Sequence, residues 1–256
     1  MNFSLESRVK QIVFLMLTMS GERVRAHCNV CDTRDVIFCS NAWVRAGVCS
    51  KCRSESRHRI LAAALQYSDE LNYANLLYKK NVIHIAPEPA LQKYISTATL
   101  RYVPGDISPS RKGERRIDLS HMPEFADGSF EAIIAIDVFE HIADDGAAFR
   151  ECRRVLGEGG YLIISVPMPD RFSRTDEDRS VASEADRTKF YGQYNHVRLY
   201  GSDLIERIRQ NGCNAVAINA NAFMQEVGRK YNLEPEGVLH PLATNNRTII
   251  FAKKMN

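Results

Sequence analysis

Residues 129–167 read SFEAIIAIDVFEHIADDGAAFRECRRVLGEGGYLIISVP. Two short apolar runs, Ala132 to Ile136 and Tyr161 to Val166, flank a segment in which Ala147, Ala148, Cys152, Val155 and Leu156 recur at helical spacing. Nearly continuous β-branched runs of this length suit parallel strands buried on both faces, and the residues between them suit a crossover helix. The stretch therefore predicts a βαβ unit. Glu158, Gly159 and Gly160 are expected to stop the helix, since glycine readily takes the left-handed cap. The first strand runs into the polar group Asp137, Glu140 and His141. In an open α/β sheet, ligands bind at the carboxyl ends of the strands, which is where Asp137 falls.

The whole chain has 256 residues, enough for one sizeable core with a small accessory module. Its 34 basic and 31 acidic side chains leave a net charge of +3, so no polyanionic partner is demanded. The seven cysteines are an odd number, and four of them form two CxxC pairs. That usage argues for thiolate chemistry in a reducing, cytoplasmic compartment and against a disulfide frame. The run Ile12 to Leu17 follows Arg8 and Lys10, but it lacks a cleavage site and is too short to span a bilayer. No membrane association is expected. Residues 1–26 are read as a helix packed on the domain or closing over the site as a lid.

Residues 27–59 read HCNVCDTRDVIFCSNAWVRAGVCSKCRSESRHR. Each CxxC knuckle can deliver two thiolates to one side of a tetrahedral ion, which predicts a zinc ribbon with Cys28, Cys31, Cys49 and Cys52 as ligands. Four protein ligands leave no open position, so such a zinc is structural. Cys39 reads as a buried apolar thiol outside the set. The cluster Arg53, Arg57, His58 and Arg59 reads either as a grip on nucleic acid phosphates or as the solvated first turn of the helix that follows, with the second favoured. That helix is expected to run on to Tyr78, where Lys79 and Lys80 suit a C-terminus.

Beyond it, Asn81 to Ile95, NVIHIAPEPALQKYI, reads as a strand followed by a proline-rich turn. A second strand is expected at Leu100 to Pro104, closing on Asp106, and a third over Arg116, Ile117, Asp118 and Leu119. After the βαβ unit, residues 168–201 are polar and irregular and include YGQYNHVRLYG from Tyr191 to Gly201. Loops this long in compact domains usually carry function. A helix from Asp203 to Gln210 with Ser202 as N-cap and Gly212 as its stop, then strands at Ala215 to Ile218 and Thr248 to Ala252, complete the chain.

The segments DGSFEAIIAIDVFEHI and RVLGEGGYLIISVP resemble the fourth-strand motif and the helix, turn and fifth strand of class I S-adenosylmethionine-dependent methyltransferases of the type 11 kind. The likeness extends over roughly Asn81 to Lys253. It implies an α/β, Rossmann-like seven-stranded sheet over residues 60–256, with an antiparallel last strand, S-adenosylmethionine as cofactor, and a zinc ribbon over residues 27–59. In the cofactor loop His84 stands where the family has an acid, and Ala86, Pro87 and Glu88 replace its glycine-rich turn. The resemblance implies that Glu88 pairs with the cofactor's amino group, Asp106 with the ribose, Asp118 and Leu119 with the adenine, and that His84, Ala86 and Asp137 also line the cofactor. The 191–201 run resembles a segment of zinc-ribbon methyltransferases that reads close to FGQxDHVRxYG, from which Tyr191 and Asn195 depart. It makes Tyr191, Gln193, Asn195 and His196 candidates for one wall of the reaction chamber, with His141 as a base or a capping histidine. His196 and Arg198 could instead brace the loop.

Methyl transfer to a small molecule in specialised biosynthesis is the leading expectation. In-line attack on a sulfonium carbon depends on alignment and exclusion of water more than on a nucleophile motif, and none is present. The alternatives are cyclisation of the cofactor to azetidine-2-carboxylate with release of methylthioadenosine, an RNA methyltransferase that uses the ribbon arginines, and a binding module without catalysis. Neither the acceptor nor the oligomeric state is legible in the sequence.

Overall fold

The computed structural model describes residues 24–41, 44–169, 172–234 and 248–255. Strand β7, Phe130–Ile136, is buried at every position except Glu131. Its alternating side chains feed two cores: Ile133 and Ala135 point into one, and Ala132, Ile134 and Ile136 into the other. Period-two alternation with both faces apolar is what a central strand covered by helices on each side requires.

Around β7 a seven-stranded sheet assembles in the order β6-β5-β4-β7-β8-β10-β9. The other strands are β4 (Asn81–Ile85), β5 (Arg101–Asp106), β6 (Arg115–Arg116), β8 (Leu156–Ser165), β9 (Cys213–Ile218) and β10 (Ile249–Lys254). Only β10 runs against its neighbours, pairing antiparallel with both β8 and β9. This is the expected α/β, Rossmann-like sheet with its reversed strand. The parallel registers Ile85↔Ala135 and Ile136↔Ser165 bring the carboxyl ends of β4, β7 and β8 level with one another.

Helices cover both faces. Helix α4, Asp145–Val155, buries Ala148, Phe149, Cys152 and Val155 in the first core, joined by Leu204 and Ile208 of α6, Leu204–Gln210. Phe149 stacks on Phe139 with ring centroids 4.5 Å apart. The second core takes the apolar faces of α1 (Ser56–Tyr67), α3 (Pro89–Ser96) and α7 (Gln225–Tyr231). Each large apolar side chain buried this way contributes about 1.5–3 kcal/mol.

Several expected boundaries move. The helix read through to Tyr78 ends at Tyr67 and resumes as the short α2, Tyr73–Leu76, because the Asn72 side chain accepts from the Asn75 amide and starts a new turn. Helix α4 ends at Val155 and not at the glycines: Leu156 is already extended, so Gly157 to Gly160 belong to β8. The third strand is only Arg115–Arg116, and Ile117, Asp118 and Leu119 follow it. Asp203 caps α6 in place of Ser202, since its carboxylate is held by the Thr175 amide and hydroxyl. The supposedly irregular 168–201 segment contains helix α5, Glu184–Tyr191, which starts at Ser183 and stops at Gly192, φ 87°. The connection after β9 likewise contains α7.

The ribbon is a three-stranded antiparallel sheet of β1 (Val24–Cys28), β2 (Thr33–Cys39) and β3 (Val48–Cys49). Val24, Arg25 and Ala26 thus form a strand and not the end of a helix; residues 1–23, which hold the rest of the expected lid, lie outside the described residues. Val36, Phe38 and Ala46 share a small core with Ala62 of α1 and Ala90 of α3, so the ribbon packs directly on the sheet's helices.

Arg59 locks that junction. It is fully buried and donates to the carbonyls of Ser54, Tyr231 and Asn232 at 2.8–3.2 Å, with its guanidinium 4.5 Å from the Phe38 ring centroid. Among the described residues no helix is long and apolar enough to cross a membrane.

Candidate active site

The carboxyl ends of β4, β7 and β8 open into a cavity of about 340 Å³. Ala86 and Glu88 line it from β4, Ile136 and Asp137 from β7, and Pro167 from β8. Glu140, His141, Tyr191, Gln193 and His196 close the far side, and Glu55 and Arg57 reach in from the start of α1.

Ala86 and Asp137, the residues that follow the two central strands, both take left-handed backbone, with φ 46° and 52°. A non-glycine residue pays about 1–3 kcal/mol for this, so the surroundings must enforce it. They do: the Ala86 amide donates to the Gly105 carbonyl at 2.7 Å, the Asp137 amide to the Ser165 carbonyl at 2.9 Å, and the Ser165 hydroxyl to Asp137 Oδ1 at 2.7 Å. The glycine-type turn at Ala86 is thus retained without the glycine.

Arg57 is the cation of the cavity. Its side chain is only 12% exposed and pairs with Glu55 at 2.6 Å, Asp137 at 3.1 Å and Glu88 at 3.4 Å. Burial alone would lower its pKa, but the three carboxylates hold it above the ordinary arginine value. Burial pushes the Glu88 carboxyl up, yet the His58 hydrogen bond at 2.9 Å and the nearby Arg57 charge win and keep it below the usual carboxylate range. Glu88 Oε2 is buried with no hydrogen-bond partner among the described residues. Among the described residues, four carboxylates, Glu140 included, and the Arg57 guanidinium line the cavity. This cavity attracts a cation and offers one buried carboxylate oxygen to a donor.

Of the residues singled out in the sequence, Ala86, Glu88, Asp137, His141, Tyr191, Gln193 and His196 line the cavity. His84 does not. It is fully buried in β4, with Nδ1 2.8 Å from the Tyr102 hydroxyl, and burial pushes it down to about 4. A strand position that alternates with Ile83 and Ile85 cannot project beyond the strand end.

Asn195 also stands outside the lining; its carbonyl faces His141 Nδ1 at 3.3 Å and its amide oxygen accepts from Gln193 at 2.8 Å. Arg198 is a brace and not a wall: buried, it donates to the Ile142 and Ala143 carbonyls and pairs with Glu177 at 3.1 Å. Tyr200 is spent on Asp145 at 2.8 Å, and Tyr194 is exposed. Tyr191 is therefore the one tyrosine of the three at the cavity.

Asp106, Asp118 and Leu119 lie at the neighbouring strand ends. Asp106 pairs in register with Arg116, and each aspartate accepts from the amide two residues on, Ser108 or Ser120, at 2.8 Å. Asp118 is exposed and Leu119 buried. Together with Ala86 and Asp137 they follow the carboxyl edge of the sheet.

The sequence does not announce Arg57 or Glu55 as residues of this cavity, and Glu140 carries no assigned role there. Arg57 and His58 are not a solvated turn: their side chains are 12% and 3% exposed and pair with Asp137 and Glu88. The one local cue is the reciprocal cap in which Glu55 and His58 bond each other's backbone, which fixes the helix start beside the cavity.

In the ribbon, the metal-ligating atoms of Cys28, Cys31, Cys49 and Cys52 lie within 4.8 Å of one another, a cluster compatible with a zinc module. Hydrogen bonds from Cys49 and Cys52 push the Cys28 thiol far down, so this group favours thiolate. Cys39 is half-buried and outside the cluster.

Residues 71–164 match the family model described as a methyltransferase domain. No curated protein matches the sequence. Among solved structures, the chain is similar to the Burkholderia thailandensis 1,6-didemethyltoxoflavin-N1-methyltransferase with bound 1,6-didemethyltoxoflavin and S-adenosylhomocysteine. The identity is 14% over 78% of this chain and 79% of that one, with a TM-score of 0.51. It is similar also to a Haemonchus contortus N-methyltransferase solved with phosphomonomethylethanolamine and S-adenosylhomocysteine, at 14% identity over 77% of this chain and 52% of that one, TM-score 0.50. Matched segment, strand order and reversed β10 agree on a methyltransferase domain of Rossmann-like fold.

Proposed function

We propose that this protein transfers the methyl group of S-adenosylmethionine to a small molecule that enters the cavity beside Asp137 and His196. The observation that carries the reading is the anionic cavity at the strand ends, with a buried Glu88 oxygen that lacks a donor among the described residues. Its volume falls in the range of small-ligand sites, about 300–1,000 Å³.

S-adenosylmethionine, when bound, supplies an electrophilic methyl on a sulfonium. The chain's own residues then bind, orient and exclude water. Glu88 accepts from the cofactor's amino group, and Arg57, already anchored on Asp137, offers donors to its carboxylate. Asp106 accepts from the ribose hydroxyls, Asp118 and the Leu119 amide hold the adenine, and the Ala86 turn lets backbone approach closely. Tyr191, Gln193, His141 and His196 wall the acceptor side. The four ribbon cysteines hold a structural zinc that keeps α1, and so Arg57, in place. Burial of Arg57, His58 and Arg59 inside the molecule weighs against an RNA grip there.

The test is mass spectrometry of products from protein and S-adenosylmethionine alone, then with candidate small acceptors. Turnover only when an acceptor is added, with one methyl gained by it, is expected. Methylthioadenosine and a cyclic amino acid from cofactor alone would replace methyl transfer by cyclisation.

A further inference from the structure

Glu88 stands at the N-cap of α3, yet its side chain does not cap that helix. Caps are ordinarily short polar side chains that accept from the first amides, so a glutamate turned away from them is used elsewhere. It turns to α1: Glu88 Oε1 lies 2.9 Å from His58 Nε2 and 3.4 Å from the Arg57 guanidinium. Both contacts fall on the same oxygen. Oε2 is buried and has no hydrogen-bond partner among the described residues. A buried acceptor in that state marks a place for a donor that arrives with a ligand.

His58 sets this geometry. It is 3% exposed and occupies the third position of α1, where its Nδ1 accepts from the Glu55 amide at 3.0 Å. A backbone amide only donates, so Nδ1 keeps its lone pair and the ring proton sits on Nε2, which donates to Glu88. One ring thus joins the helix start to the carboxylate, and the two partners fix its tautomer. The cap alone does not call for a histidine, because glutamine or glutamate at this position closes the same box. What the imidazole adds is the second contact, to a carboxylate 30 residues further along the chain.

We propose that His58 is a positioning residue: it pins Glu88 Oε1 and so presents Oε2 to the ammonium of a ligand's amino-acid end. The helix after the ribbon would then separate ligands that carry an α-amino group from those that lack one. The inference rests on the reading of Glu88 as the partner of the cofactor's amine. An ammonium is matched there by a charge-assisted hydrogen bond, and a carboxylate held in one orientation beforehand need not be ordered when the ligand binds. S-adenosylhomocysteine keeps that amino group and methylthioadenosine lacks it, while both carry the adenosine and the thioether.

The experiment is calorimetry of the full chain with these two ligands, with melting temperature measured on the same preparations. Wild type is expected to bind S-adenosylhomocysteine the more tightly. His58→Leu should weaken S-adenosylhomocysteine about tenfold or more, the size of a hydrogen bond to a charged group, and leave methylthioadenosine unchanged. His58→Gln, which offers an acceptor to the Glu55 amide and a donor to Glu88, should recover most of the loss. His58→Glu keeps the cap and puts an acceptor where the donor stood, so it gives the same comparison should the leucine variant not fold. Equal losses for both ligands, or unchanged S-adenosylhomocysteine affinity in folded variants, would reduce His58 to a helix cap. Glu88→Gln separates the two readings. If it weakens S-adenosylhomocysteine while the His58 variants do not, only the positioning role falls; if it binds as wild type does, the reading of Glu88 falls and this inference with it.

Discussion

Arg57 Nε lies 3.1 Å from Asp137 Oδ2, so the first helix after the ribbon is tied by a buried ion pair to the end of the central strand. The two residues are 80 positions apart in the chain, 137 less 57. Glu88 flanks the same guanidinium at 3.4 Å, which places one cation between the carboxyl ends of β4 and β7. A buried pair of this kind weakly supports stability on its own, because desolvation offsets much of its attraction. Its placement at the proposed cofactor-binding edge is better explained by organisation of the site.

Replacing Arg57 by methionine keeps the apolar stem and removes the charge. We expect S-adenosylmethionine affinity to fall by about 1.5–3 kcal/mol, the range for hydrogen bonds to charged groups. Calorimetry measures it, and unchanged affinity in a folded variant would take Arg57 out of the cofactor's surroundings.

The ribbon predicts its own outcome. Purified protein should carry about one zinc per chain bound by the four cysteines, and Cys49→Ser should lower stability by roughly 3 kcal/mol, some 6–12 °C in Tm for a chain of this size. A well-folded protein without zinc by metal analysis would remove the structural ion.

His84 gives the fold an acid-sensitive element. Its folded pKa is pushed down to about 4, below the ordinary 6.5, so the unfolded chain binds the extra proton first. The stabilisation is complete above pH 6.5 and declines as pH falls toward 4, by up to about 3 kcal/mol. Melting curves across that window should be steeper in pH for the wild type than for His84→Gln; parallel curves would show that His84 is protonated as easily folded as unfolded.

His196→Ala should leave the cofactor dissociation constant nearly unchanged and lower turnover by about a hundredfold, since it stands on the acceptor side. Melting temperature, dissociation constant and rate are to be measured on one preparation. A folded variant with normal turnover would remove His196 from the site, and parallel losses of Tm and affinity would reduce it to a brace for Tyr191.

What the sequence disclosed is what local pattern encodes. The β-branched runs of β7 and β8 and the paired knuckles around Cys28 and Cys49 are periodic or fixed in spacing, so strands and cysteine cluster were legible. Burial of cations was not: Arg59 is held by carbonyls 172 and 173 residues away, and no neighbour in sequence announces Tyr231 or Asn232. Helix α5, EADRTKFY, buries only Tyr191 and so shows no apolar stripe among its polar residues. The motif position of His84 points to the strand end, whereas its alternation with Ile83 and Ile85 puts it on a buried face.

The central claim is that the carboxyl edge of the sheet, from Asp118 through Asp106 and Glu88 to Asp137, holds S-adenosylmethionine. Calorimetry with the wild type and Asp106→Ala tests it most directly. The account predicts one cofactor per wild-type chain and an affinity about 1.5–3 kcal/mol weaker in the variant, the cost of lost hydrogen bonds to a charged group. Equal binding by the two proteins, or no binding by folded wild type, would contradict it.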